Sequence, residues 1–392
     1  MRKVSVFVMA LAVLFCGTTV TYAAETEDLT SLSAVAQPGG VFGEDCRAVL
    51  LMEQRTGSVL YESGADEKLP IASVTKVMTL LLVVEAIDSG KISKTDLVTI
   101  SENAASKGGS QIYLEVGETM SVQDLLKAVV VASANDGAVA LGEFVSGSEA
   151  AFVSDMTRRA KELGLDVEFV NPTGLDDDGC HTLSARDVAI ISRELLSHEW
   201  ITEYTTIWMD SVRDGAFGLT NTNRLVRFYE GTTGLKTGST SKAKFCISAS
   251  AKRQNLHLIA VVLGGETSDR RFAAAKELLD FGFANYALYE PKSESFSDIR
   301  VLGAKTPGVK PVREGEGILI SKSDLSKITE EISLPEVLNA PVEKGQTIGE
   351  IVYRVEGEEV ARHPILAENA VEKADFGFLF RKLFTGLFFS AC

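Results

Sequence analysis

Three short strings stand in one order along the chain: Ser73-Val74-Thr75-Lys76, Ser133-Ala134-Asn135 and Lys236-Thr237-Gly238. These residue types suit acyl transfer by a serine nucleophile whose proton goes to a lysine amine instead of an imidazole. Residues three apart on a helix share a face, so Ser73 and Lys76 are within mutual reach. A free lysine titrates near about 10.4, and a base working at neutrality has to be brought down to roughly 7. An apolar setting, a second cation such as Lys236 and the positive end of a helix all act in that direction. Without them, Lys76 is a surface cation with a buried stem.

The other two strings supply the remaining parts of such a site. Ser133 is placed to relay a proton between a lysine and the leaving amine, and Asn135 to hold Lys76 and a substrate amide. Lys236 and Thr237 suit a terminal carboxylate. Gly238, on a strand at the edge of a cleft, lets another chain approach and pair as an added strand. The backbone N–H groups of Ser73 and Ser239 would form an oxyanion hole, each donor being worth about 10²- to 10³-fold in rate. Each string alone is weak: Ser241-Lys242-Ala243-Lys244 is a stray match to the first, and Arg55-Thr56-Gly57 nearly matches the third. Their order and spacing carry the signal.

The bulk properties allow an exported enzyme and exclude other classes. With 392 residues, 45% of them hydrophobic, the chain has material for one large core and a smaller one. A net charge of −15 argues against a nucleic-acid partner, which needs a basic stripe. Only four histidines occur, with no His-Glu-x-x-His string, so a zinc peptidase is disfavoured and neither metal nor cofactor is expected. Residues 1–23 read as a signal peptide: Arg2 and Lys3, an apolar run, then small residues ending at Ala23. Cys16 leaves with it. Cys46, Cys180, Cys246 and Cys392 lack the spacing of a metal site or a disulfide scaffold; Cys46 and Cys246 are expected to be free thiols, with one bridge among the four left open.

The elements that must position the strings follow from periodicity. A strand hairpin over 48–61 turns at Arg55-Thr56-Gly57. Helices are expected over 71–87, apolar on nearly all sides, and over 122–131, 150–163, 184–196 and 269–286. Strands are expected around Lys236 and over 245–251 and 256–263. The segment 101–117 and the Ser133–Asn135 region read as loops. This is a mixed α/β catalytic domain over 40–289, one sheet flanked by helices. A small all-β domain follows over 290–370, with a hairpin turning at Glu356-Gly357. The tail 373–392 carries Phe376, Leu379, Phe380, Leu383, Phe384, Leu387 and Phe388 at helical steps, with Lys373, Arg381 and Lys382 off that stripe. At 1.5 Å per residue the apolar stretch spans roughly 21 Å against a hydrocarbon core of about 30 Å. It is expected to lie on a membrane surface, not cross it.

With these strings, Leu69-Pro70-Ile71-Ala72, Phe169-Val170-Asn171-Pro172-Thr173-Gly174-Leu175, Ser184-Ala185-Arg186-Asp187 and Gly234-Leu235 before Lys236, the chain resembles the penicillin-binding D-alanyl-D-alanine carboxypeptidases. Ala340-Pro341-Val342, Lys344-Gly345-Gln346 and the amphipathic tail resemble that family's second domain and membrane anchor. The resemblance implies a β-lactamase/transpeptidase-like catalytic fold. It also implies a Ser73 acyl-enzyme that trims D-alanine from peptidoglycan pentapeptide stems at the outer face of the cytoplasmic membrane, with β-lactams acylating the same serine. One departure stands out. His257 holds the strand position where the family often carries an arginine for the substrate carboxylate, so either Arg253 or Lys236 compensates or substrate binding is weaker; the blander reading is that His257 merely packs beside Leu256 and Leu258. Two other readings stay open: a β-lactamase, with Glu168 and Asn171 as candidates for deacylation, and a non-catalytic peptidoglycan-binding protein.

Overall fold

The computed structural model describes residues 42–175, 181–291, 296–315 and 317–389. The signal peptide expected over 1–23, Cys16, Cys180 and Cys392 lie outside them. Along the chain run β1 (Ala48–Glu53), β2 (Val59–Ser63), α1 (Lys76–Asp88), α2 (Val122–Val131), α3 (Asn135–Ser146), α4 (Glu149–Glu162) and α5 (Ala185–Ser197). Then come β3 (Met209–Val212), β4 (Phe217–Thr220), β5 (Thr232–Thr240), β6 (Lys244–Arg253), β7 (Leu256–Gly265) and α6 (Ser268–Asn285). The all-strand region that follows includes β8 (Thr347–Val355) and β9 (Glu358–Ala367), and the tail is α7 (Phe376–Phe389).

The central sheet is antiparallel, in the order β2-β1-β7-β6-β5. Its strands are apolar on both faces because both faces are covered. On β1, Val49 and Leu51 pack with Phe272, Leu278 and Leu279 of α6, whereas Leu50 and Met52 join the core built around α1. The α1 sequence explains that position: its residues are buried from Lys76 to Val84, so it is a central helix without a solvent face. Ser184 caps α5 in a capping box with Asp187, and Lys68 pairs with Asp187 at 2.7 Å. Arg186 bridges Glu62 at 2.5 Å and Asp66 at 2.7 Å. The Ser-Ala-Arg-Asp string is therefore a structural fastening.

The hairpin at Arg55-Thr56-Gly57 has a bland cause, because the buried Glu53 carboxylate accepts from both the amide and the hydroxyl of Thr56. In the strand-rich region β8 and β9 turn at Glu356 and Gly357, both at positive φ, as a two-residue hairpin requires. Ile299, Val309, Ile351, Tyr353 and Ile365 form its separate core. Asp375 caps α7 by accepting the Phe378 amide at 2.8 Å. Phe376 is 82% exposed and Leu383 66%, so this stripe is not sunk in the protein's own core.

Candidate active site

Ser73 lies in a 3₁₀ turn, Ala72–Thr75, that runs directly into α1. Ala72 before it has φ 49°, a left-handed conformation that turns the chain sharply at the serine. Lys76, the first residue of α1, is fully buried, with Nζ 3.0 Å from Ser73 Oγ, 2.6 Å from Asn135 Oδ1 and 2.8 Å from the Thr173 carbonyl oxygen. Two of these three partners are carbonyl oxygens, which only accept. A neutral amine has two N–H donors and one lone pair, so serving both carbonyls leaves the lone pair facing Ser73, whose hydroxyl then donates to it. Burial lowers the Lys76 pKa well below its ordinary value, and the charge of Lys236 lowers it further; Asp136 opposes them.

Asn135 opens α3, a helix that the Asn-Asp-Gly sequence disguises as a turn. Its amide orientation is fixed, since Nδ2 donates to the Gly108 carbonyl at 2.7 Å and thereby turns Oδ1 toward Lys76. Ser133 sits two residues earlier at φ 62°, and its buried hydroxyl has no hydrogen-bond partner among the described residues. The bond to a lysine expected of a proton relay is not made here.

The Asn-Pro-Thr-Gly segment explains itself through Lys76. Asn171 Oδ1 accepts from the amides of Thr173 and Gly174 at 3.0 and 2.7 Å, an Asx turn that presents the Thr173 carbonyl to the amine. Gly174 has φ 73°, and a Cβ there would stand 1.8 Å from the Ala72 carbonyl oxygen, so only glycine fits behind the nucleophile turn. Asn171 is thus committed to the turn. Glu168 is exposed between buried Val167 and Phe169. Neither residue is arranged as the deacylating pair of a β-lactamase.

Lys236, Thr237 and Gly238 lie on β5, the sheet edge, as expected. A Cβ on Gly238 would come within 2.8 Å of the Ser73 amide nitrogen and 2.7 Å of the Ile71 carbonyl oxygen. The approach this glycine permits is that of the nucleophile turn itself. Thr237 Oγ1 donates to Thr222 Oγ1 at 2.7 Å. Lys236 is 1% exposed, and its only hydrogen bond among the described residues is to the adjacent Thr237 carbonyl at 3.2 Å. Burial and the charge of Arg271 bring its pKa to about 7.

Arg271 escaped sequence reasoning. It comes from α6, with Nη1 donating to the carbonyls of Gly238 at 2.9 Å and Cys246 at 3.1 Å. No carboxylate pairs with it among the described residues, and its Nε is buried without a partner there. The only sequence signal was an arginine near the start of the helix after the last sheet strand.

His257 is corrected. In register, Lys236 faces Ser248, which faces Val261, so His257 lies four residues along β7 from that row, about 13 Å away. Its Nε2 is 2.8 Å from Thr233 Oγ1, and burial pushes its pKa down to about 4. Arg253 is spent stacking on Tyr229 and Phe283, at 4.7 and 4.5 Å from their ring centres. The arginine beside the Lys-Thr-Gly strand is Arg271. Cys46 and Cys246 are both free thiols, and burial raises Cys246 to about 11, an unreactive value. No group of His, Cys, Asp and Glu among the described residues could hold a metal ion.

Known proteins resemble this chain along most of its length. Residues 34–267 match the family described as D-alanyl-D-alanine carboxypeptidase, and residues 288–373 match the penicillin-binding protein 5 C-terminal domain. D-alanyl-D-alanine carboxypeptidase DacF of Bacillus subtilis (strain 168) is 44% identical over 341 residues, 85% of this chain and 87% of its own. The crystal structure of penicillin-binding protein 5 from Haemophilus influenzae superposes with a TM-score of 0.74 at 32% identity, covering 86% of this chain and 99% of that one. The ampicillin-bound penicillin-binding protein D2 of Listeria monocytogenes gives a TM-score of 0.56 at 34% identity, covering 61% of this chain and 98% of that one. With the serine, the two lysines and the asparagine gathered as described, the chain belongs to the D-alanyl-D-alanine carboxypeptidase family.

Proposed function

We propose that the protein is a serine-type D-alanyl-D-alanine carboxypeptidase that removes the terminal D-alanine from peptidoglycan pentapeptide stems and is acylated by β-lactams. The observation that carries this reading is the Lys76 amine, 3.0 Å from Ser73 Oγ with two carbonyl acceptors on its other side. Lys76 takes the Ser73 proton as Oγ attacks the carbonyl between the two D-alanines. The oxyanion forms against the Ser73 and Ser239 amides. Ser133 passes a proton to the leaving nitrogen, the C–N bond breaks, and free D-alanine departs from an ester on Ser73 that water then hydrolyses. Asn135 has a second Nδ2 hydrogen for a substrate carbonyl. Lys236, Thr237 and Arg271 hold the terminal carboxylate, while Gly238 keeps their strand against the nucleophile. A β-lactam amide enters the same path, in keeping with the ampicillin-bound relative.

The chain divides into a signal peptide over 1–23, a catalytic domain over 40–289, an all-β domain over 290–370 and a membrane-associating helix over 373–392. The enzyme is exported and rests on the outer face of the cytoplasmic membrane through α7. Among the described residues no helix is long and apolar enough to cross a membrane. Deleting 375–392 is expected to release the protein from membranes with activity on a soluble peptide intact; retention in the membrane fraction would refute the anchor.

Labelling by a fluorescent penicillin, with Ser73→Ala as control, together with D-alanine release from diacetyl-L-lysyl-D-Ala-D-Ala, tests the activity. A stable label lost in the variant and steady D-alanine release are expected. Rapid turnover of the drug would instead indicate a β-lactamase, and neither label nor release a non-catalytic wall-binding protein.

A further inference from the structure

Tyr113 is 67% exposed and has φ 57°, a left-handed conformation that disfavours a bulky side chain. Its backbone is nonetheless held at four points. The amides of Ile112 and Leu114 on either side donate to the buried Asp136 carboxylate, each at 3.1 Å. The carbonyls of Ile112 and Tyr113 accept from Arg213 at 2.8 and 3.1 Å, and Glu118 grips the same guanidinium at 2.7 and 2.9 Å. The ring meets Phe217 of β4 edge-on at 6.2 Å. The same loop gives the Gly108 carbonyl to Asn135 Nδ2 and the Ser110 carbonyl to the Asn135 amide, both at 2.7 Å. Asn135 in turn holds Lys76. Two consecutive residues, Asn135 and Asp136, therefore fix the base on one side and the seat of an exposed aromatic ring on the other. Three residues span at most about 10 Å, so Tyr113 stays within that distance of Ser110.

The core does not use this ring, and the backbone conformation would be easier for glycine. What remains is a stiff aromatic face offered to solvent by the loop that holds Asn135, a surface suited to an aliphatic chain at small entropic cost. We propose that Tyr113 packs against the stem peptide on the acyl side of the bond to be cut, and so favours substrates with a long aliphatic side chain immediately before D-Ala-D-Ala. This rests on the activity proposed above.

The test compares diacetyl-L-lysyl-D-Ala-D-Ala, which has that side chain, with acetyl-D-Ala-D-Ala, which lacks it. Tyr113→Gly deletes the ring while keeping the backbone conformation easy, and Tyr113→Ala deletes it at ordinary cost. Both are expected to raise KM for the lysyl substrate about tenfold. Both should leave kcat and the short substrate within twofold of the parent, and Tyr113→Phe should restore the parent values. Equal losses on both substrates would assign Tyr113 to the loop's architecture, and unchanged KM in the glycine variant would remove it from the binding surface; either overturns the proposal. Failure of the parent protein to cleave either substrate would instead sink the activity on which it rests.

Discussion

The cleft holds two buried lysines with opposite surroundings. Lys76 touches three oxygens, two of them pure acceptors, whereas Lys236 touches one, the carbonyl of its own neighbour. The charge that lowers the Lys236 pKa is another cation, Arg271, which has no acid partner among the described residues. Buried polar groups are normally satisfied, and buried charges paired. Lys76 meets that requirement as a neutral amine, which is what a base needs. Lys236 and Arg271 do not meet it until an anion arrives from outside, which is what an anchor for a free carboxylate needs. One sheet edge and one helix start thus use the same residue type for two jobs, and neighbouring acceptors decide which.

The sharpest way to break the first half is Lys76→Arg. Arginine keeps much of the bulk but stays protonated in proteins, so it puts a fixed charge where the neutral amine stood. Loss of general-base assistance typically costs 10²- to 10⁴-fold, and here the guanidinium also has to fit among acceptors spaced for an amine, so a fall of about 10³-fold or more in the second-order rate of penicillin acylation is expected. A rate within tenfold of the parent would place the base elsewhere.

The second half is sharpened by pH. The Lys236 pKa in the folded protein is lowered to about 7, by burial first and Arg271 second. Its charge is present below that pH and lost above it, so kcat/KM for a substrate with a free carboxylate should decline as pH rises through about 7. Lys236→Arg should abolish the decline, because the anchor then stays charged. Arg271→Gln removes a repelling neighbour, which raises the Lys236 pKa and moves the decline to higher pH, while KM rises about tenfold for the lost cation. A decline that stays at the parent's pH in Arg271→Gln would show that Arg271 does not act on Lys236.

What the sequence revealed and what it hid divide along the same line. The buried helix α1, the paired apolar strands and the exposed aromatic stripe of α7 announce themselves because burial imposes a period on side-chain type. Ser73, Lys76, Asn135 and Lys236 were legible for the same reason: their chemistry resides in side chains. The Thr173 carbonyl that completes the Lys76 cradle was not, since any residue supplies a carbonyl, and only the Asx turn beneath it depends on Asn171. Gly238 was legible as a close approach but not as to what approaches. Arg271 lies in no string with the residues it joins, because α6 brings it in from 35 positions beyond Lys236. The start of α3 was hidden by Asn135-Asp136-Gly137, where turn chemistry and a helix N-terminus share the same residues.

The smallest effect belongs to His257, which sequence position recommended and the sheet register removes from the cleft. Its ring serves a hydrogen-bonded row with Thr233 and Ser250, Thr233 Oγ1 lying 2.8 Å from both His257 Nε2 and Ser250 Oγ. His257→Gln keeps a polar group of similar reach, so kcat/KM is expected to stay within twofold of the parent and the loss of stability near about 1 kcal/mol. The sign of the pH effect follows from burial. The folded pKa is about 4 against 6.5 for a free imidazole, so between these values the unfolded chain binds the extra proton and stability rises with pH. Thermal melts from pH 4 to 7 should climb less steeply in His257→Gln than in the parent. If KM for the D-Ala-D-Ala substrate instead rose as far as in Arg271→Gln, the carboxylate anchor would extend along β7, and the contrast between one satisfied lysine and one waiting pair of cations would have to be redrawn around a third group.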